Sequence, residues 1–241
     1  MLNSSFIPIL IIIFSLLIIF YILNLKNYNI YKDYIQEFNI VNGNNWIVLL
    51  TTNVYPNNTK NNGIKYTNTE INERKSLYIK QIKQWLNKTN LPIFVVDNSG
   101  YKFSEINNKN LKVISFVSNN KAENNDDSYK SKEEFESIEY AINELKDSNI
   151  YNQSTHILKV SGEYFLENIE NSLNNSEQYL DLYLQKNRKN DIKWQSAEYF
   201  GIKKELLLEM FQQTLNKNAV ENNLFLFSIQ KNYTFIEINN K

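Results

Sequence analysis

Asp97, Asn98, Ser99 and Gly100 come directly after Ile93-Phe94-Val95-Val96. A carboxylate, a carboxamide, a hydroxyl and a glycine in a row bend the backbone and offer oxygen and amide groups, either to a ligand or only to the turn that ends a strand. Other chemistry is bounded by what the sequence lacks. With no cysteine there is no disulfide, thiolate metal site or cysteine nucleophile. His156 is the sole histidine, which excludes His-cluster metal sites, and in its apolar setting it reads as a core or edge residue rather than a base. None of the five glycines falls in the spacing of a phosphate loop or a dinucleotide fingerprint, which disfavours kinases, ATPases and nicotinamide dehydrogenases. Asp126-Asp127 reads as a displaced acid pair or as a solvated loop, and Lys186, Arg188 and Lys189 as a phosphate-facing patch or an exposed one.

These residues need a scaffold, which the hydrophobic pattern supplies. Ile93 to Val96 is too short for a buried helix and rich in β-branched and aromatic side chains, so it predicts a central strand. Upstream, Tyr78 or Ile79, Ile82 and Trp85 with Leu86 recur at helical spacing and predict an amphipathic helix over 73–87. Further strands are predicted over 46–52, 111–117, 155–160 and 181–185, and helices over 133–147 and 202–215; the run 224–229 fits either. Strands alternating with helices predict a Rossmann-like α/β domain with three layers and a mostly parallel sheet, whose ligand crevice lies at the carboxyl ends of the strands. The polar stretch 53–72 is long for a compact domain and reads as a lid over that crevice or as a tolerated insertion.

Phe6 to Leu23 is an apolar run without charge, long enough to cross a bilayer, with Tyr21 as an interfacial anchor. It predicts a transmembrane anchor over 6–24 after a short tail 1–5, then a stem or linker 25–44 and one folded domain 45–241. A cleaved signal would want a basic start and small residues at the cut, whereas Asn24, Leu25, Lys26 and Asn27 come after this run. Lys26 and Lys32 lie after the span with no basic residue before it, which by the positive-inside rule puts the large domain in the cytoplasm. The 26 basic and 26 acidic residues cancel, so there is no electrostatic case for a nucleic-acid partner. About one residue in six is Asn, with abundant Ile and Lys, a bias of AT-rich coding sequences such as those of large DNA viruses. Chance then accounts for the Asn-x-Ser/Thr triplets beginning at Asn3, Asn57, Asn87, Asn152, Asn174 and Asn232.

Two pairs of segments carry a resemblance: Trp46-Ile-Val-Leu-Leu-Thr-Thr-Asn53 with Ile93-Phe-Val-Val-Asp-Asn-Ser-Gly100, and Lys130-Ser-Lys-Glu-Glu134 with Lys159-Val-Ser-Gly-Glu-Tyr-Phe165. They resemble the nucleotide-sugar glycosyltransferases of GT-A fold, in short patches spread over roughly 46–226. The resemblance implies that the first strand opens onto the donor site at Thr51 and Asn53. It implies too that Asp97, with Ser99 beside it, holds the donor's base or ribose, and that Lys130 and Lys159 face its phosphates. The family's Asp-x-Asp metal motif should come after the strand 155–160, and it is missing there; Glu163 stands at a position often basic in relatives. Three readings are open. Glu163 holds manganese or magnesium alone, Lys130, Lys132 and Lys159 replace the metal, or the protein is catalytically inactive.

An inverting transfer also needs a general base for the acceptor hydroxyl. The family places acids near the acceptor where Glu198 and Glu221 stand. Trp194, Tyr199 and Phe200 around Glu198 form a stacking platform for a sugar, or belong to the core with Glu198 capping the next helix. The resemblance thus implies a single-pass membrane glycosyltransferase moving a sugar from a nucleotide-sugar donor to a glycan, lipid or protein acceptor. Its alternative is an inactive GT-A-like pseudoenzyme, or a sugar-binding or interaction module on a membrane. Luminal members are anchored opposite to the sense of Lys26 and Lys32, so the side of the membrane stays open.

Overall fold

Trp46–Thr52 (β1) and Ile93–Asp97 (β2) are buried along nearly their whole length, as continuous Val/Ile/Leu runs require when both faces of a parallel strand are covered. The computed structural model describes residues 46–56, 65–118, 127–174, 181–185, 198–214, 224 and 235–238. Its other strands are Leu111–Ser115 (β3), His156–Ser161 (β4), Leu182–Gln185 (β5), Tyr199–Lys203 (β6) and Phe235–Ile238 (β7). Its helices are Asn68–Lys88 (α1), Asp127–Leu145 (α2), Asn149–Gln153 (α3), Ile169–Asn174 (α4) and Lys204–Thr214 (α5). The sheet order among the described residues is β3-β2-β1-β4-β6-β5-β7.

β1, β2, β3 and β4 run parallel, β6 runs antiparallel to both β4 and β5, and β7 pairs parallel with β5. The mostly parallel, three-layer expectation therefore holds, with one reversed strand. On one face, Tyr78, Ile82 and Trp85 of α1 and Ile169 and Leu173 of α4 pack on Trp46, Val48, Leu50, Val95, Leu158 and Val160. On the other, Phe135, Ile138, Ile142 and Leu145 of α2 and Leu207 and Met210 of α5 pack on Ile47, Leu49, Phe94 and Phe200. Each such aliphatic or aromatic side chain contributes about 1.5–3 kcal/mol on burial.

Three predicted boundaries change for reasons visible in the structure, and others shift by one or two residues. α1 begins at Asn68 because Thr67 caps it, its hydroxyl accepting from the Glu70 amide while the Glu70 carboxylate accepts from the Thr67 amide at 2.8 Å. α2 begins at Asp127, six residues early. The helix predicted over 202–215 is in fact a strand and then a helix. Tyr199 and Gly201 face the α1 side and Phe200 and Ile202 the α2 side, a short period-two pattern hidden beside the helical spacing of α5. Gly201 is needed there: a Cβ would lie 2.8 Å from the Trp46 indole.

Among the described residues no helix is long and apolar enough to cross a membrane, and the run Phe6 to Leu23 lies outside them. So do Trp194, the patch Lys186, Arg188 and Lys189, and Glu221.

Candidate functional site

From β1 the chain passes outward to β2 and β3, then crosses back to place β4 on the other side of β1. Strand order reverses at that point, and in open α/β sheets the crevice beyond the strand ends there is where ligands bind. A cleft of about 330 Å³ opens at this place. Thr51, Thr52 and the next residue Asn53 line it at the end of β1, Asn98 just after β2, Ser161 at the end of β4 and Glu163 in the turn after it, Arg74 and Tyr78 from α1, and Glu133, Glu134 and Ser137 from α2.

Asp97 organises one wall. It is fully buried, and its carboxylate accepts five hydrogen bonds. Oδ2 takes the Thr52 hydroxyl at 2.9 Å and the Val54 amide at 3.2 Å. Oδ1 takes the Ser99 amide at 2.9 Å, the Ser99 hydroxyl at 2.6 Å and the Tyr101 amide at 2.9 Å. Ser99 Oγ in turn accepts from the Tyr55 amide at 3.0 Å, so the loops after β1 and β2 are tied together through this carboxylate. Asn98, next in sequence, also lies almost wholly buried, yet its Oδ1 has no hydrogen-bond partner among the described residues; the same is true of Asn53 Oδ1.

α1 supplies the charge. Arg74 Nε donates to the Asn53 carbonyl at 2.8 Å, its guanidinium lies 5.4 Å from the centre of the Tyr78 ring, and a terminal nitrogen sits 3.6 Å from Glu163 Oε1. Burial pushes the Tyr78 phenol well above its ordinary range, against the pull of the Arg74 charge, so the group is a neutral donor at physiological pH. The turn carrying Glu163 is fixed by the Gly162 amide donating to the Thr51 carbonyl at 2.8 Å and by Trp85 Nε1 donating to the Tyr164 carbonyl at 3.0 Å. Gly162 cannot be replaced without movement, since a Cβ would lie 2.4 Å from Thr52 Cγ2.

On the α2 side Lys159 is buried, its ammonium held by the Glu134 carboxylate and 5.7 Å from the centre of the Phe200 ring. It lies beneath the cleft rather than on its lining. Glu198 immediately precedes β6; its carbonyl accepts from the Ser161 amide at 2.8 Å, and its Oε2 is buried with no partner among the described residues.

Of the residues singled out from sequence, Thr51, Asn53 and Glu163 come together on the cleft. Asp97 and Ser99 sit behind its wall, Lys159 below it and Glu198 beside Ser161. Lys130 falls within α2, its side chain outside the described set. Sequence reasoning missed Arg74 and Tyr78 as lining residues, while Asn98 lies in the polar turn it singled out. A signal for Arg74 existed: continuing the buried stripe Trp85, Ile82, Tyr78 one turn back lands on it, a cation on the core-facing side of a helix, at the end nearest the crevice.

Among the described residues no three acidic, histidine or cysteine side chains converge as a metal-holding group, and Glu163 already faces the Arg74 guanidinium.

No protein-family model matches the sequence, and no curated protein does. Among solved structures, the chain is similar to a putative nucleotide-diphospho-sugar transferase from Desulfovibrio desulfuricans, at 11% identity and a TM-score of 0.48 over 80% of this chain and 79% of that one. It is similar also to a 4-diphosphocytidyl-2C-methyl-D-erythritol synthase from Anaerococcus prevotii, at 11% identity and a TM-score of 0.47 over 81% and 89%. A glycosyltransferase involved in glycosylating the major capsid of PBCV-1 matches at 7% identity and a TM-score of 0.44 over 80% and 81%. Likenesses of this size carry no argument about chemistry, which rests on the residues of the cleft.

Proposed function

We propose that this chain is a membrane-anchored glycosyltransferase that takes a nucleotide-sugar donor in the cleft between the ends of β1 and β4 and passes the sugar to a glycan, lipid or protein acceptor. The observation that carries the reading is the position of Arg74: among the described residues lining a cleft at the point of strand reversal, it is the one cation. Its guanidinium is pre-oriented by the Asn53 carbonyl and by Tyr78, so it meets a departing diphosphate with little reorganisation. Tyr78 adds a neutral hydroxyl donor.

In an inverting transfer the bond from the anomeric carbon to the diphosphate oxygen breaks with its electron pair on the leaving group. The acceptor oxygen bonds to that carbon, and its proton passes to a base. Glu198 and Glu221 are the candidate bases from sequence; Glu198 stands beside Ser161 of the cleft wall through its own carbonyl. Asp97 is a positioning residue, acting through the two loops it ties. In this reading Arg74 exchanges its contact with Glu163 for the leaving diphosphate. A second reading is an inactive nucleotide-sugar-binding module, motivated by the Asp-x-Asp motif missing after the strand 155–160.

The test is a thermal-shift titration of the full chain with UDP, GDP, CDP and ADP, with and without manganese. One nucleotide at a hundredfold excess over its dissociation constant should stabilise by about 2.7 kcal/mol. The stabilisation should not need manganese, and Arg74→Ala should abolish it. No shift with any nucleotide would sink the reading, and binding without sugar release on an acceptor panel would favour the inactive module.

A further inference from the structure

We infer that Glu163 biases the cleft toward the intact donor and against the spent nucleoside diphosphate; the inference rests on the nucleotide-sugar reading of the cleft. Glu163 Oε1 lies 3.6 Å from a terminal nitrogen of Arg74, and the two side chains are 35% and 29% exposed, so a ligand can reach both. The backbone around Glu163 is pinned. Gly162 donates its amide to the Thr51 carbonyl at 2.8 Å, Tyr164 donates its own to the Ser161 carbonyl at 3.0 Å, and Trp85 Nε1 donates to the Tyr164 carbonyl at 3.0 Å. When a diphosphate takes over the guanidinium, the Glu163 carboxylate therefore stays at the cleft and faces the ligand's charge.

Donor and product differ in charge at the phosphates that meet Arg74. In a nucleotide sugar each phosphate bridges two groups and carries one negative charge. Once the sugar has left, the terminal phosphate is a monoester and carries most of a second charge at about pH 7. A carboxylate held a few ångströms away repels that second charge as well as the first, and a guanidinium already facing the carboxylate attracts it less. The rest of the described lining adds no cation to offset this. Glu133 and Glu134 approach from α2, and the Lys159 ammonium that Glu134 holds lies beneath the cleft. Two unit charges about 6 Å apart near a protein surface interact strongly enough to change a dissociation constant about fivefold. An acid beside the one described cation of the lining is a defect in a site that only has to grip phosphate; in a site that must also let phosphate go, it serves release.

Titration calorimetry on the full chain tests this with two ligands of one base. They are whichever of UDP, GDP, CDP and ADP the native protein binds best, and the β-methyl ester of that nucleotide, which has the donor's charge and no sugar. Glu163→Gln keeps the size of the side chain and removes its charge. Both affinities should rise, because Arg74 is released, and that for the free diphosphate should rise about fivefold more than that for the methyl ester. Glu163→Asp keeps the charge and should keep the native ratio of the two affinities. In about 1 M sodium chloride, where the Debye length is about 3 Å, the difference between the native protein and Glu163→Gln should shrink. The melting temperature without ligand should be nearly unchanged in both variants, since a part-exposed ion pair contributes little. If the native chain binds none of the four diphosphates, this inference and the nucleotide-sugar reading fail together. Should it bind one while Glu163→Gln leaves the ratio of the two affinities where it was, or lowers both, the role of Glu163 alone fails. A native protein that binds the diphosphate and rejects its methyl ester, or a Glu163→Gln chain that no longer folds, overturns that role as well.

Discussion

Buried polar atoms without partners occur at both ends of β1, and the two sets differ in what can reach them. At the carboxyl end, Asn53 and Asn98 are lining residues of an open cleft, their amide oxygens tucked into its wall. Toward the amino end, Trp46 Nε1 and the Tyr183 hydroxyl sit inside an aromatic cluster, where the Trp46 indole stacks on His156 at 4.6 Å and meets Tyr183 edge-on at 4.9 Å. Both residues are almost wholly buried. There the unsatisfied atoms are a cost carried along with two large apolar bodies that the core uses. An unpartnered group marks a binding site only where it faces space that a ligand can fill.

The most forceful way to break this contrast is to remove the carboxylate that holds the cleft end together. Asp97→Ala leaves the Thr52 and Ser99 hydroxyls and three backbone amides without their acceptor, and should destabilise the protein by about 3–5 kcal/mol in urea denaturation. A loss below about 1 kcal/mol would show that water replaces the carboxylate and that the wall is not organised through it.

A smaller effect is expected at Gly162. Gly162→Ala should cost about 1–3 kcal/mol, because its methyl meets Thr52 Cγ2. Adding Thr52→Ser, which keeps the hydroxyl on Asp97 and deletes that methyl, should restore much of the loss; equal stability of the single and double variants would place the strain elsewhere.

The smallest change belongs to the amino end. Tyr183→Phe deletes an unpartnered hydroxyl and should be neutral or slightly stabilising, within about 1 kcal/mol near neutral pH. Burial pushes the Tyr183 phenol from its ordinary 10.0 up to about 12. The folded state therefore keeps a proton that the unfolded chain releases, and the stability present below pH 10 is lost as pH rises toward about 12. Tyr183→Phe should move the alkaline unfolding midpoint upward, and Tyr78, shifted in the same direction, keeps part of the dependence. A midpoint unmoved by the substitution would assign alkaline unfolding to other groups.

Much of the scaffold was legible because its signals are local. Ile93 to Val96 is a strand, and Tyr78, Ile82 and Trp85 are a buried helical stripe, as their periodicity indicates. β6 was not legible, since Tyr199 to Lys203 is short and borders a helix whose spacing absorbs Ile202. The site was readable only as a neighbourhood. That a polar cluster comes after β2 is visible in sequence; that Asp97 turns inward while Asn98 meets the cleft depends on which donors two distant loops deliver, and no spacing rule carries that. Arg74 shows the converse, a long-range role foreshadowed by a charge on the wrong side of an amphipathic helix.

The contact between Lys159 and Glu134 has a dynamic consequence. The ammonium stands on a central strand and is held by a carboxylate of α2, so α2 cannot lift from the sheet without pulling that carboxylate away from a charge set in apolar surroundings. Local opening of α2 around Glu134 is thereby coupled to opening of the sheet itself, and its backbone amides there should exchange with deuterium at the rate of global unfolding rather than of helix fraying. The wall of the cleft formed by α2 should then open no more readily than the core beneath it.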